Sequence, residues 1–375
     1  LRAQQGQLVT ADPTGKVHPL NETLYTVANA KIYMYIVGTT GVNTAPSSQI
    51  ECGSGSNVGG PDASGNCYVN TDASGNFTIT NDYECPNDTS DTSPVYLIAK
   101  DGTPSGVSSP NTQFTFMVVS PYTCGYLQAT PSVYLDLSDF TTAIAAFEAA
   151  PFANSNASLG GDGFGTSLAN TLDYNAIMAA FQAANTVVPV STAVYGGSDS
   201  NVQKQLNTLA EFTEVCNRSA GTGSPCSNLY SAATQGAFTS TNAPADPWQS
   251  IASIAQYPNN SSNTTAQLDL IPATPYYSPV DLAVPSGGWA VQVSGSPSIT
   301  CPATPQHKLT SLVIHGTNLS GSSNAVVVAY GQVGTVTANT STSVTFTIPS
   351  HLGTGAIAVY QNGLSSNACP FQIEN

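Results

Sequence analysis

Thr71-Asp-Ala-Ser-Gly-Asn-Phe-Thr-Ile-Thr80 reads as an Asx-Gly turn running into an alternating strand. A near copy, Asp62-Ala-Ser-Gly-Asn-Cys-Tyr-Val69, stands ten residues upstream. The local grammar is therefore turn, short strand, turn, short strand, which predicts hairpins. A calcium loop would need acidic ligands at more of the alternate positions than Asp62 or Asp72 and their neighbours supply, so the two runs are read as turns.

Working outward, Lys31-Ile-Tyr-Met-Tyr-Ile-Val37 puts Ile32, Met34 and Ile36 on one face of a strand and Tyr33, Tyr35 and Val37 on the other. With apolar groups on both faces, both must be covered. Phe77 to Ile79, Val95 to Ile98, Phe114 to Val119 and Val133 to Leu135 continue the β pattern, separated by Gly, Pro, Asn and Asp clusters, and predict a sandwich. Before it, Leu1 to Asp12 form a polar arm with an apolar centre at Leu8-Val9. Such an arm is either a frayed terminus or a strand suited to another sheet's edge.

After Leu135 the apolar period changes from two to about 3.6. Ser138, Asp173 and Ser200 are placed to cap helices carrying Phe140, Ile144 and Phe147, then Tyr174, Ile177, Met178 and Phe181, then Val202, Leu206, Leu209 and Phe212. Asp246-Pro247 supplies the cap and first turn of a helix with Trp248, Ile251 and Ile254. The Gly-rich run Gly160 to Gly165 reads as a flexible connector. Pro272 to Pro285 reads as extended, leading to a strand at Trp289 to Val293. From Pro297 onward β signals resume at 309–319, 325–330, 344–349, 356–360 and 371–373.

The chain has 375 residues, which predicts two or three domains. Only 8% of residues are charged, with 7 Lys+Arg against 22 Asp+Glu and a net charge of −15, a balance that argues against nucleic acid and anionic membranes as partners. No apolar run is long enough to span a bilayer, and the chain opens without a charged-then-apolar leader, as expected of the mature form of an exported protein. Eight cysteines without a CxxC pair favour disulfides over zinc, and hence an oxidising, extracellular compartment. Nearest-neighbour pairing is the expected connectivity: Cys52 with Cys67, Cys85 with Cys124, Cys216 with Cys226, and Cys301 with Cys369. Ten Asn-x-Ser/Thr sequons, at Asn21, Asn76, Asn87, Asn156, Asn217, Asn259, Asn260, Asn263, Asn318 and Asn339, are candidate glycan sites.

Thr14-Gly-Lys-Val-His18, Val27-Ala-Asn-Ala-Lys-Ile-Tyr33 and Thr71-Asp-Ala-Ser-Gly-Asn-Phe77, in that order, resemble carboxypeptidase-regulatory-like sandwich domains. With Tyr83-Glu-Cys-Pro86, Cys124-Gly125 and the Ala-rich segment after them, the series resembles large secreted proteins of acidobacteria. The resemblance implies a non-catalytic surface module into which the helical part is inserted, the strand at Trp289 to Val293 rejoining the sandwich; the Cys52 and Cys67 loop departs from that pattern. His315-Gly-Thr-Asn-Leu319, Ser343 to Ser350 and Asn362 to Asn367 resemble the IPT/TIG immunoglobulin-like domain over its whole length. The expected architecture is mainly β with a helical domain: two Ig-like or transthyretin-like sandwiches flanking a small disulfide-stapled helical bundle. Its parts are an arm at 1–12, a sandwich at 13–136, a helical insertion at 137–285, a returning strand and linker at 286–296 and a second sandwich at 297–375.

No GxSxG elbow, HExxH, GxxxxGK[ST] or strand-to-helix GxGxxG occurs. His18, His307, His315 and His351 are scattered, and Asp136, Asp139, Glu148, Glu211 and Glu214 read as helix starts or exposed helix faces. The expectation is a protein that is not an enzyme, with no cofactor and no metal. The expected role is that of a structural homopolymer subunit of a surface filament, joined head-to-tail through strand donation by Gln7, Leu8, Val9 and Thr10. The alternative is an adhesin or carbohydrate-binding protein that stacks sugars on Tyr122, Tyr126, Tyr276, Tyr277 and Trp289.

Overall fold

The computed structural model describes residues 3–7, 9–10, 25–38, 48–53, 58–80, 83–130, 132–154, 163–165, 171–193, 195–219, 224–234, 244–256, 294–302, 306–307, 311–320, 325–329, 332–348 and 354–374. The expected strand at Trp289 to Val293 and the extended run Pro272 to Pro285 lie outside them. Mainly β structure with helices and four disulfides is what the chain forms.

The first part runs through β1 (Ala3–Gln7), β2 (Val9–Thr10), β3 (Tyr25–Ala28), β4 (Lys31–Ile36), β5 (Val58–Gly59), β6 (Tyr68–Asn70), β7 (Asn76–Thr80), β8 (Pro94–Lys100), β9 (Thr103–Pro104), β10 (Thr115–Thr123), the short helix α1 (Cys124–Ala129) and β11 (Ser132–Tyr134). A five-stranded antiparallel sheet, in the order β10-β8-β4-β6-β5, is its backbone. Alternation sorts its side chains between two cores. Ile32, Met34, Val95, Leu97, Phe116 and Val118 face a core shared with Phe77 and Ile79 of β7. Tyr33, Tyr35, Tyr96, Ile98, Met117 and Val119 face the helices. Both faces of β4 are thus covered, as its sequence demands.

The two DASGN runs fold alike. Asp62 Oδ1 accepts from the amides of Ser64 and Asn66 at 2.8 and 2.9 Å, and Asp72 Oδ1 does the same for Ser74 and Asn76. Gly65 and Gly75 take φ of 83° and 76°, a conformation that costs glycine nothing. Their destinations differ. The first run closes the β5–β6 hairpin, whereas the second turns a corner, taking the chain from β6 in the large sheet to β7 in the three-stranded sheet β11-β1-β7. Hairpin pairing of the strands flanking the second run is therefore corrected to a change of sheet. Thr71 pins that corner by donating its hydroxyl to the Val27 carbonyl at 2.7 Å and accepting from the Ala30 amide at 2.9 Å.

Helices follow: α2 (Asp139–Glu148), β12 (Ala153–Asn154), β13 (Gly163–Phe164), α3 (Thr171–Val187), α4 (Ser200–Asn217), α5 (Ser224–Thr234) and α6 (Pro247–Gln256). Ser138 caps α2 through a reciprocal box with Thr141. Asp199 caps α4, so Ser200 is its first residue instead of its cap, and α3 begins at Thr171, which puts Asp173 inside the first turn. The helices do not form a bundle with a core of its own. Phe140, Ile144, Phe181 and Trp248 share one core with the tyrosine face of the large sheet. The Gly-rich run read as a flexible connector is corrected at its end. Phe164 is buried edge-on against Tyr96, Phe181 and Trp248 at ring distances of 5.1–5.3 Å. Gly163, at φ 140°, lies so close to Tyr96 that an added Cβ would stand 2.2 Å from the hydroxyl.

The C-terminal strands are β14 (Ser298–Ile299), β15 (Gln306–His307), β16 (Ser311–Thr317), β17 (Val326–Ala329), β18 (Gln332–Asn339), β19 (Ser343–Thr347), β20 (Thr354–Gln361), β21 (Leu364–Ser365) and β22 (Cys369–Glu374). They follow the order β14-β16-β19-β18-β17-β20-β22-β15, with β21 paired to β20. Ile314, Val327, Phe346, Val359 and Phe371 fill their core. On β20 the alternate residues Ala356, Ala358 and Tyr360 face the other way, into the helical core. Small side chains there let the strand approach the helices closely. Tyr360 closes the joint, its hydroxyl donating to the Glu148 carbonyl at 2.6 Å.

Candidate functional site

The segment expected to act in assembly is built into a sheet of its own chain. Ala3 to Gln7 run antiparallel to β7, in the register Ala3↔Thr80 to Gln7↔Asn76, and Ala3 to Gln5 run parallel to Ser132 to Tyr134 of β11. Val9 and Thr10 pair with Thr26 and Tyr25 of β3, which also carries β9. Leu8 lies outside the described residues. The picture of a free arm is corrected: Gln7, Val9 and Thr10 sit in strands paired within the chain. A central strand satisfies amides and carbonyls on both sides, so β1 is held by two ladders where an edge strand has one.

The walls of this seat make contacts besides those with β1. Phe77 and Ile79 of β7 are buried in the core they share with the large sheet, and Val133 of β11 packs against it, followed by the buried Leu135. The Cys85–Cys124 bridge, with Cα atoms 5.8 Å apart, ties the chain just after β7 to the chain just before β11. Cys52–Cys67, Cys216–Cys226 and Cys301–Cys369 complete the set, Cys216–Cys226 joining the end of α4 to the start of α5.

A second feature is a cleft of about 390 Å³ between the large sheet and the start of α6, lined by Lys31, Tyr33, Asp62, Lys100, Asp101 and Asp246 among others. Lys31 Nζ lies 2.7 Å from Asp101 Oδ2, a hydrogen bond that raises the ammonium pKa, and 5.4 Å from the centre of the Tyr68 ring. Burial pushes Asp62 up, but amide bonds from Asn66 and Ser64 and the Tyr33 hydroxyl at 3.1 Å outweigh it and hold the carboxylate below its usual range. Asp246 is engaged at the start of α6, accepting from the Gln249 amide at 2.9 Å. Lys31 and Asp101, and Tyr33 and Asp62, thus pair with each other across the cleft lining.

The carboxylates read as exposed need correction. Asp139, Glu148, Glu211 and Glu214 are all buried. The apolar stripe of a helix marks one covered face; α2 and α4 are covered on further faces by neighbouring helices and strands. Desolvation raises Glu214 well above the usual carboxylate range, Asp139 beside it pushes the same way, and Arg218 at 3.3 Å opposes them. Thr213 donates to Asp139 at 3.1 Å. Glu148 is also raised well above the ordinary value by burial and accepts a hydrogen bond from Ser365. Among the described residues no three His, Cys, Asp or Glu side chains are placed to hold a metal ion.

The sequons separate by burial. Asn217 is fully buried, its side chain bonded to both backbone atoms of Thr115, so the folded chain offers no access there. Asn76, Asn87 and Asn318 are exposed and Asn339 is half-buried. Asn21, Asn156, Asn259, Asn260 and Asn263 lie outside the described residues. Of the proposed sugar platforms, Tyr126 is 49% exposed and stacks on Tyr122 at 4.6 Å, while Tyr276, Tyr277 and Trp289 lie outside the described residues. No helix among the described residues is long and apolar enough to cross a membrane. No family model, no curated protein and no solved structure matches the chain.

Proposed function

We propose that the protein is a non-catalytic extracellular structural subunit that assembles with copies of itself into a surface filament, the N-terminal strand joining neighbours head-to-tail. The observation that carries this reading is the position of β1. A segment with no charged residue from Ala3 to Gln7 forms the middle strand between β7 and β11, held by main-chain bonds that are indifferent to whose chain supplies the strand. Two β-sandwiches of the carboxypeptidase-regulatory-like and IPT/TIG kinds, braced by the helices and four bridges, would give the rigid body such a polymer needs. Four disulfides fit an oxidising compartment. Glycans at the exposed Asn76, Asn87 and Asn318 would cover its surface.

Negative-stain micrographs of the intact chain and of a chain lacking residues 1–12 test the proposal. Filaments from the first and folded, dispersed particles from the second are expected. Filaments of equal length from both would defeat strand donation, and none from the intact chain would defeat the structural reading. The exposed Tyr126 ring, stacked on the half-buried Tyr122, favours one alternative, a carbohydrate-binding surface. Polysaccharide pull-down lost in Tyr126→Ala would support it.

A further inference from the structure

The seat of β1 carries an inference that rests on the assembly reading and specifies its acceptor. We infer that the slot between β7 and β11 receives residues 3–7 of a second copy of this chain, and that β1 of the same chain is its resident occupant in the isolated subunit. Three features argue for it. First, β7 and β11 are bonded to β1 and not to each other, so withdrawing β1 opens one edge on each wall instead of tearing a continuous sheet.

Second, the slot is pre-organised. The apolar face of β7 is committed to the core through Phe77 and Ile79, and the Cys85–Cys124 bridge ties the chain beyond both walls. Walls held this way depend less on the occupant for their spacing, which lowers the ordering cost that an incoming strand must meet. Third, the occupant is exchangeable. Ala3-Gln-Gln-Gly-Gln7 brings only uncharged residues to the slot. The same bonds form whether the strand comes from its own chain or the next, so exchange between them is close to neutral apart from concentration. Because β1 and the slot are different surfaces, the contact is heterologous and extends from subunit to subunit.

The register provides the test. Gln7 is the Cα partner of Asn76, and opposed antiparallel residues have Cα atoms about 4.5–5.5 Å apart, within disulfide reach. One full-length chain carries Gln7→Cys and another carries Asn76→Cys, and the two are mixed under assembling conditions and oxidised. Circular dichroism and the monomer elution volume check that each variant folds. A mixed-chain disulfide enriched at least tenfold in the assembled fraction over the unassembled one is the expected result. A double variant, Gln7→Cys with Asn76→Cys, is expected to lock itself as a monomer and stop assembling. If filaments form while the mixed link is absent and the double variant links only to itself inside them, the acceptor slot is refuted and the filament reading stands. If no filaments form and only self-links appear, both fall. A measurement on the unmodified chain is independent of the cysteine variants: a synthetic peptide of residues 1–12 in molar excess should slow elongation several-fold, and an unchanged rate would overturn the inference.

Discussion

At Glu148 a single carboxyl joins the helices to the C-terminal strands. Its backbone carbonyl accepts from Tyr360 and its side chain accepts from Ser365, both within a buried joint. Burial raises its pKa well above the ordinary 4.5, so the fold prefers the neutral acid. Below that ordinary value both folded and unfolded chains hold the proton, and the stabilisation is fully present. As pH rises, the unfolded chain releases the proton and the folded chain keeps it, so stability falls by up to about 1.4 kcal/mol per pH unit until the folded pKa is passed. Glu148→Gln keeps an acceptor for Ser365 and removes the titration. The melting temperature of the variant should fall less than the parent's between acid and neutral pH, with Glu214 leaving a residual slope of the same sign. Parallel curves for parent and variant would show that Glu148 does not control the joint. Gly163 makes a related point about neighbours: its φ of 140° and its closeness to Tyr96 turn a run that reads as a loose connector into part of the core.

Among the elements, the bridges differ in what they close. Cys301 and Cys369 are 68 residues apart and Cys216 and Cys226 only 10. Chain entropy assigns about 4.4 kcal/mol to the first loop and about 2.7 kcal/mol to the second. Replacing each pair with alanine should therefore lower the urea midpoint more for Cys301/Cys369, since each bridge buries at least one sulfur and the packing losses are comparable. The reverse order would show that strain or local packing, and not loop closure, governs these bridges. The strands with two apolar faces were legible because a period of two assigns Tyr33 and Met34 to opposite sides whatever covers them. The identity of each cover was not legible. Asp62-Ala-Ser-Gly-Asn66 and Asp72-Ala-Ser-Gly-Asn76 make the same turn, yet one closes a hairpin and the other changes sheet. β6 finds β4 beside it, and β7 finds β1, some seventy residues away along the chain. The short helix α1 and the helix α5 were missed, as was β18, whose Gly334 and exposed threonines dilute the apolar alternation. Glu211 and Glu214 misled for a related reason, because a layer of packing outside the apolar stripe leaves no periodic trace.

For the whole molecule, electrostatics opposes the association that the β1 slot would permit. With 22 acidic and 7 basic side chains, each subunit carries a formal charge of −15, and two copies approaching end to end repel. Burial keeps at least Glu148 and Glu214 toward their neutral forms, which trims the repulsion without abolishing it. The contact proposed here is made of neutral main-chain bonds around an uncharged strand, so salt acts on the approach and leaves the bond itself nearly unchanged. Screening shortens the reach of the repulsion from about 30 Å at 0.01 M to about 8 Å at 0.15 M salt. Assembly of the intact chain should accordingly quicken and go further toward completion as salt rises over that range, as light scattering and sedimentation would record. Acceleration on lowering salt would mean that opposite charges pair across the subunit contact. That result would move the joint away from the uncharged β1 strand and toward a surface where the chain's few cations, such as Lys31 and Lys100 at the cleft, meet a neighbour's carboxylates.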